Sequence, residues 1–175
     1  EKLPAGVYRL GEVPAPLGLD QAVLAWLLGV YSFTRYKAKK TASPRLVLPA
    51  GVDGEEISRI AQAVFLARDL INTPANDMGP QELAEAAAGL AKAHGAKLRV
   101  IQGAALKKDF PLIAAVGQGS PRPPCLIDLT WGSPRAPRVT LVGKGVCFDT
   151  GGLDIKPSAG MLTMKKDMGG AAVAL

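Results

Sequence analysis

The chain has 175 residues, 48% of them hydrophobic, which is enough apolar material for one domain or for one domain and part of another. No run of about 18 uncharged apolar residues is present, which argues against a membrane-spanning helix. The formal charge is +6, from 21 Lys and Arg against 15 Asp and Glu, and this charge by itself leaves a nucleic-acid partner open.

The two cysteines and the start of the chain bear on the cellular compartment. Cys125 and Cys147 belong to no CxxC pair, and one possible pair is a weak disulfide signal in a chain of this length. Position 1 is Glu, and no basic segment followed by an apolar one opens the chain, so we expect neither a signal peptide nor a natural start. A reduced, cytoplasmic protein is therefore predicted.

Two amphipathic helices with a short strand between them are predicted in the first part of the chain. Apolar residues recur at helical spacing over residues 21–36 and again over 55–72, and residues 45–49 read as a strand that ends at proline. The second helix should end before Thr73-Pro74, because a residue that precedes proline disfavours the helical conformation. The turn at 51–54 is the predicted domain boundary, with the helix 55–72 as the connector.

The second part of the chain is predicted to combine a further helix with short strands. Gly79-Pro80 should open a helix that stops near His94-Gly95, with Glu82 close to its positive end. Four apolar stretches separated by Gly- and Pro-rich turns are predicted as strands, at 97–101, 112–116, 125–129 and 138–142. A last apolar helix begins at Met168 and the sequence stops inside it, which suggests truncation. Helices followed by mixed short strands indicate an α/β fold.

Residues 139–170 hold the densest polar chemistry of the chain, in a glycine-rich bend after a strand. Lys144 and Asp149 would be about 16 Å apart in an extended strand, so the chain must fold back for them to meet, and the glycines at 145, 151 and 152 permit this. Asp149 and Asp167 carry hard oxygen ligands that suit Mn²⁺, Mg²⁺ or Zn²⁺. Two aspartates alone leave both a metal site and ordinary surface turns open.

Other chemistries find less support in the sequence. Gly143-Lys144-Gly145 lacks the spacing of a phosphate-binding loop, and the pair Gly117 and Gly119 lacks the third glycine of a dinucleotide fingerprint. His94, the single histidine, falls at a predicted helix end, and Cys147 between Val146 and Phe148 reads as a small buried residue. A Cys–His nucleophile is therefore not favoured.

The basic residues form separate clusters, at residues 35–40, 107–108 and 165–166, with few aromatic residues between them. A nucleic-acid surface would combine such charge with stacking aromatics. A solvated surface is therefore the preferred interpretation, with DNA binding as an alternative.

Residues 142–157, together with 164–172, resemble the signature of the leucyl aminopeptidase (cytosol aminopeptidase) family. Asp149, Lys156 and Asp167 follow Lys144 by 5, 12 and 23 residues, which is the family's spacing. Residues 68–80 resemble the start of its catalytic domain, and 31–37 the end of its N-terminal domain. The resemblance implies an internal fragment, in which residues 1–52 are the C-terminal part of a small α/β N-terminal domain and 53–175 are a connector helix and the first part of an α/β catalytic domain.

The resemblance also implies roles for individual residues. Lys144, Asp149 and Asp167 match ligands of two divalent ions, Mn²⁺ or Zn²⁺ with Mg²⁺ as an alternative, and Asp149 is the bridging ligand. Lys156 matches the catalytic lysine that stabilises the developing oxyanion, and Met164 falls where the family lines the pocket for the substrate's first side chain. These five residues form the expected substrate-binding set, and the implied assembly is a homo-hexamer.

One departure from the family pattern matters for activity. The family completes its site with a downstream Asn-Thr-Asp-Ala-Glu-Gly-Arg motif, and this chain ends at Leu175 without it. Cys147 and Gly160 stand where Thr and Asn are more usual, but neither change removes a ligand. We therefore expect the parent to be a cytoplasmic aminopeptidase that removes leucine-like residues from peptides with a free N-terminus, and residues 1–175 alone to be inactive. The alternatives are a non-catalytic homologue and a DNA-binding role.

Overall fold

The structure is a computed structural model that describes residues 3–38 and 42–175, and its mixture of helices and small sheets confirms the α/β prediction. The chain divides into two compact units, Glu1–Asp69 and Leu70–Leu175. This division falls inside a long helix, and the predicted domain boundary at 51–54 stays a prediction. The elements of the first unit are β1 (Val7–Tyr8), α1 (Leu19–Val30), β2 (Arg45–Leu46) and most of α2 (Gly54–Asn72).

The first unit joins a minimal parallel sheet to two helices. β1 pairs with β2 in the register Val7↔Arg45 and Tyr8↔Leu46, so the strand predicted at 45–49 is present but shorter. Helix α2 matches its prediction within one residue. Ile57 and Ala61, four residues apart on one face, are buried, and so is Leu70 near its end.

Helix α1 is shorter at its C-terminal end than predicted, because Tyr31 makes tertiary contacts in place of helical ones. The helix begins at Leu19 and ends at Val30, and Tyr31 leaves the helical conformation with ψ of 139°. The Tyr31 ring lies 5.3 Å from the Phe65 ring, and its hydroxyl donates to Asp69 Oδ1 at 2.6 Å. Arg68 also donates to the Leu28 carbonyl at 2.8 Å, which satisfies an acceptor in the last turn of α1.

The second unit begins with the end of α2, and its next element is helix α3. Both ends of this helix were predicted from the sequence. Helix α3 (Pro80–His94) starts with proline at its first position, and the Glu82 carboxylate accepts from the Gly79 backbone N–H at 2.9 Å. It ends at Gly95, whose φ of 65° lies in the left-handed region. The remaining elements are β3 (Lys97–Gln102), α4 (Gly103–Asp109), α5 (Pro111–Gly117), β4 (Cys125–Thr130), α6 (Ser158–Thr163), a 3₁₀ helix (Met164–Met168) and α7 (Gly169–Ala174).

Two of the four predicted strands form an antiparallel pair. β3 and β4 are in register from Lys97↔Thr130 to Gln102↔Cys125, as the stretches 97–101 and 125–129 predicted. The apolar helix predicted from Met168 is also present as α7, after the 3₁₀ helix. Leu106 and Met168 are the largest fully buried side chains in the described part of the chain.

The other two predicted strands are wrong. Residues 112–116 lie in helix α5, because Pro111 occupies its first position and a short apolar run does not by itself distinguish strand from helix. Residues 138–142 have no regular structure, and no strand among the described residues pairs with them. Their apolar side chains are exposed, 81% for Val139 and 91% for Val142. Neither side-chain packing nor hydrogen bonds to a neighbouring strand therefore stabilise an extended conformation here.

None of the helices in the described part of the chain combines the length and the apolar character that crossing a bilayer requires. The basic cluster at 35–40 falls partly on residues 39 and 40, which lie outside the described residues.

Candidate active site

The predicted ligand Lys144 lies on a stretch of backbone that packs directly against the start of α7. The Lys144 carbonyl accepts from the Ala171 N–H at 2.8 Å. A Cβ placed on Gly143 would lie 2.3 Å from the Gly170 carbonyl oxygen, and one placed on Gly170 would lie 2.8 Å from the Lys144 nitrogen. These distances leave no room for a side chain, so glycine at both positions permits the contact. The contact brings Lys144 close in space to the segment that follows Asp167.

The bend after Asp149 forms as its glycines predicted. Gly151 and Gly152 have φ values of 64° and 89°, which other residues adopt only with strain. The Thr150 hydroxyl accepts from the Gly152 N–H at 3.2 Å, and the Thr150 side chain is buried. Gly145 serves packing instead, because a Cβ there would sit 3.4 Å from the Ala171 Cβ.

Asp167 is carried by the 3₁₀ helix, in which a buried methionine at each end encloses three polar residues. Met164 and Met168 are buried at 3% and 0% exposure and fasten this turn to the core. The Asp167 side chain is 25% exposed, and the Lys166 ammonium lies 3.8 Å from its Oδ1. This pair reaches solvent, so we expect it to contribute little to stability.

Lys156 and its neighbours lie on the exposed side of the same region. Lys156 precedes α6, and a Cβ on Gly160 would lie 3.2 Å from the Lys156 Cβ, so the family's usual Asn at position 160 would crowd this lysine. Lys144, Asp149 and Lys156 are all exposed. The ammonium of Lys156 is therefore accessible to a substrate.

The donor chemistry fits a divalent ion, but the donor set is incomplete. An amine and two carboxylates are ligands that Mn²⁺ and Zn²⁺ accept. Within residues 3–38 and 42–175, however, no three His, Cys, Asp or Glu side chains come together as a metal site. Lys144 and the Asp167 turn are brought near each other through the backbone, and any closed coordination shell needs further ligands.

Neither cysteine has the properties of a nucleophile, and the prediction that Cys147 is a small buried residue is confirmed. Cys147 is 6% exposed, and burial raises the pKa of its thiol to about 11. Burial also raises the pKa of Cys125, whose Sγ lies 3.5 Å from the Pro80 carbonyl oxygen. Both thiols are protonated at neutral pH and are therefore poor nucleophiles. His94 is the last residue of α3, as predicted, and its carbonyl accepts from Trp131 Nε1 at 3.1 Å.

Sequence reasoning missed an arginine that fastens the loop between α2 and α3. Arg122 forms an ion pair with Glu82, and it donates to the Ala75 carbonyl at 2.6 Å. Hydrogen bonds from the backbone N–H groups of Glu82 itself and of Gly79, with the charge of Arg122, outweigh partial burial and hold the pKa of Glu82 below its usual 4.5. Arg122 lies in a proline-rich turn, and no local sequence pattern indicates that it pairs with Glu82, 40 residues away.

Removing Arg122 should destabilise the second unit measurably. We expect Arg122→Ala to lower the free energy of unfolding by about 1–3 kcal/mol, mostly through the lost bond to the Ala75 carbonyl, since a half-exposed ion pair adds little. The free energy of unfolding of Arg122→Lys should lie between those of the wild type and Arg122→Ala, because an ammonium is one compact donor group and lacks the forked donors of a guanidinium. Urea unfolding at pH 7 measures both, with the exposed Arg138→Ala as the control.

A part of the Arg122→Ala effect should disappear in acid, because the ion pair depends on the ionised form of Glu82. The pKa of Glu82 is lowered in the folded state, so its ionised form stabilises the fold at pH values above about 4.5, and this contribution disappears as the pH falls through the folded pKa. The part of the Arg122→Ala effect that comes from the ion pair should therefore shrink below that pKa. An Arg138→Ala effect as large as that of Arg122→Ala at pH 7 would contradict this account.

Comparison with known proteins decides the family. Residues 65–175 match the family model described as "Cytosol aminopeptidase family, catalytic domain". The chain belongs to the cytosol aminopeptidase family. It is 43% identical to the probable cytosol aminopeptidase of Agrobacterium fabrum (strain C58 / ATCC 33970), over 92% of this chain and 35% of that protein.

Solved structures of family members agree with this assignment. The crystal structure of a cytosol aminopeptidase from Coxiella burnetii is 49% identical and superposes with a TM-score of 0.89, covering 98% of this chain and 38% of that one. The bottromycin maturation enzyme BotP in complex with Mn is 33% identical with a TM-score of 0.75, covering 98% of this chain and 39% of BotP. The chain thus spans little more than a third of the length of these relatives. The predicted family and fold are confirmed, and the roles of individual residues stay predictions.

Proposed function

We propose that this chain supplies part of the metal and substrate site of an aminopeptidase that removes leucine-like N-terminal residues from peptides. The observation that carries the proposal is the backbone contact between Lys144 and Ala171, which lies beside the Asp167 turn within the segment that matches the family's catalytic domain. The active form is a protein that extends this chain to the length of its relatives, hereafter the full-length enzyme. It works in the cytoplasm as a homo-hexamer.

Three side chains of this chain would hold two divalent ions, Mn²⁺ or Zn²⁺ with Mg²⁺ as an alternative. Lys144 would contribute an amine nitrogen, and Asp149 and Asp167 would each contribute a carboxylate, that of Asp149 being shared by the two ions. A further Asp and Glu of the full-length enzyme complete the set, which accounts for the incomplete donor cluster among the described residues. The chemistry that bound ions would supply is polarisation of the scissile carbonyl and activation of the attacking water.

Two other residues are assigned to the substrate, Lys156 from an exposed position and Met164 from a buried one in the 3₁₀ turn. Lys156 offers a protonated, exposed ammonium that stabilises the negative charge developing on the scissile carbonyl oxygen. Met164 borders the pocket for the first side chain, where a flexible thioether suits a leucine-like group. The two site lysines therefore need opposite protonation states, since a nitrogen that binds a metal must offer its lone pair.

The proposal is tested by hydrolysis assays on the full-length enzyme with Mn²⁺ or Zn²⁺. We expect release of leucine from a leucyl peptide, and no release from the same peptide with an acetylated N-terminus. Chelation with EDTA should abolish the activity, and restored metal should return it. Equal cleavage of the acetylated peptide, or no cleavage with either ion, would refute an aminopeptidase.

Residues 1–175 alone are expected to be inactive and to bind divalent metal weakly. The physical reason is the donor set, which lacks enough carboxylates to hold two ions about 3.5–4 Å apart. Assays of leucine p-nitroanilide hydrolysis with Mn²⁺, run beside the full-length enzyme, measure this. Turnover by the 175-residue chain would show that the proposed division of the site is wrong.

A further inference from the structure

We propose that Lys165 is a positioning residue that fixes the turn carrying Met164 and Asp167 to the end of helix α2. The ammonium of Lys165 donates to the carbonyl oxygen of Asn72 at 2.9 Å, a contact between residues 93 positions apart in the sequence. Asn72 is the last residue of α2, and Lys165 follows Met164 in the 3₁₀ helix. The inference rests on the proposed function, since that function gives Met164 and Asp167 their roles.

The end of α2 is a place where a cation is favourable. The last carbonyls of a helix have no partner within the helix, and they carry the negative end of its dipole. The last turn of α2 contains no basic residue of its own. Lys165, from a distant segment, therefore supplies the positive charge at this helix end. Its side chain is half-buried, which limits the positions that the ammonium can adopt.

Residues packed around this hydrogen bond leave it to set the position of the 3₁₀ turn relative to the end of α2. A Cβ on Gly169 would lie 3.3 Å from the Ile71 Cδ1, so the residue after the 3₁₀ helix touches the last turn of α2. Met164 and Met168, at the two ends of the turn, are themselves buried. Apolar contacts of this kind tolerate sliding, whereas one directed hydrogen bond selects a single position of the turn along the helix end.

The neighbouring lysine serves as a contrast within the same turn. Lys166 is 63% exposed at its side chain, and its ammonium lies 3.8 Å from Asp167 Oδ1. Lys165 thus links the turn to α2 by a hydrogen bond, whereas Lys166 forms only an ion pair with the neighbouring Asp167. Two adjacent lysines that look alike in the sequence have different tasks.

The test compares four variants of the full-length enzyme: Lys165→Ala, Lys165→Arg, Lys166→Ala and the exposed Lys108→Ala as a distant control. Amide hydrogen exchange at residues 164–168 measures the order of the turn without reference to activity. Calorimetric titration with Mn²⁺ measures metal affinity. The ratio of kcat/KM for leucine over alanine p-nitroanilide reports on the pocket at Met164.

Lys165→Ala should speed exchange at 164–168, weaken Mn²⁺ affinity by roughly 10–100-fold, and reduce the leucine preference several-fold. Lys165→Arg should restore all three, because a guanidinium can donate to the same carbonyl. Lys166→Ala should leave exchange unchanged and should not weaken Mn²⁺ binding. General destabilisation would lower activity on both substrates alike and would leave their ratio unchanged.

The inference is overturned if Lys165→Ala keeps normal exchange and Mn²⁺ affinity, if Lys165→Arg is as impaired as Lys165→Ala, or if Lys166→Ala loosens the turn equally. Should Lys165→Ala fail to fold, Lys165→Met keeps the apolar stem, removes only the ammonium and carries the same expectations. A wild-type enzyme without peptidase activity would refute the proposed function, and the exchange and Mn²⁺ data would still decide the role of Lys165.

Discussion

Lys144→Ala in the full-length enzyme is expected to lose bound metal and activity together, whereas Lys156→Ala keeps its metal and loses catalysis. Removing the Lys144 amine deletes a proposed ligand, whose backbone carbonyl is bonded to the Ala171 N–H. Removing the Lys156 ammonium leaves the proposed ligands intact but deletes the proposed donor to the oxyanion. For Lys156→Ala we expect kcat to fall by roughly 10²–10³, the loss typical of one such donor.

Metal analysis beside kinetics separates these outcomes. The conservative variants sharpen the test, because Lys156→Arg keeps a permanent positive charge and should recover part of kcat, whereas Lys144→Arg cannot offer a lone pair and should behave like Lys144→Ala. Lys108→Ala, on the exposed face of α4, is the matched control and should resemble the wild type. Equal metal loss in Lys144→Ala and Lys156→Ala would show that Lys156 is itself a ligand or a structural residue.

The helices of the catalytic segment were predictable because their signals are local. Glu82 and Gly95 mark the two ends of α3 within a few residues of the helix, and the apolar period of α2 runs over five turns. The glycine bend after Asp149 was predictable for the same reason, since Gly151 and Gly152 adopt the conformations that only glycine adopts easily. In these segments, local preference and tertiary structure agree.

The errors arose where distant residues decide the local structure. The stretch 138–142 has strand composition, but a strand needs a neighbouring strand, and none of the described residues provides one. Tyr31 carries on the helical pattern of α1, yet its hydrogen bond to Asp69 takes it out of the helix. The stretch 112–116 is a different case, because Pro111 was visible and its preference for a first helical position was given too little weight.

Two long-range contacts of the second unit could not be predicted from the sequence. Arg122 donates to the Ala75 carbonyl 47 residues away, and Lys165 to the Asn72 carbonyl 93 residues away. A backbone carbonyl is present at every residue, so residue identity does not reveal such a partner. The predicted site residues, by contrast, came from a motif within about thirty residues. A motif of this kind identifies the chemistry but not the contacts that position it.

Gly143→Ala should show how strongly the site depends on the contact between Lys144 and α7. The added Cβ would lie 2.3 Å from the Gly170 carbonyl oxygen, and the obstacle is backbone, which cannot rotate away as a side chain can. The two segments must therefore separate. We expect the free energy of unfolding to fall by about 1–3 kcal/mol or more, the usual cost of forcing atoms into a packed region, and Mn²⁺ affinity to fall with it.

The same substitution elsewhere in the chain should have the opposite sign, which makes it a close control. A Cβ on Gly89, within helix α3, would meet nothing within 4 Å, so Gly89→Ala should stabilise the protein by about 0.5–1 kcal/mol through helix propensity. Gly170→Ala should resemble Gly143→Ala, because its Cβ would lie 2.8 Å from the Lys144 nitrogen. Urea unfolding and Mn²⁺ titration of the three variants measure these effects. If Gly143→Ala and Gly170→Ala kept normal stability and Mn²⁺ affinity, the contact would not set the position of Lys144, and the case for a metal site built on it would fail.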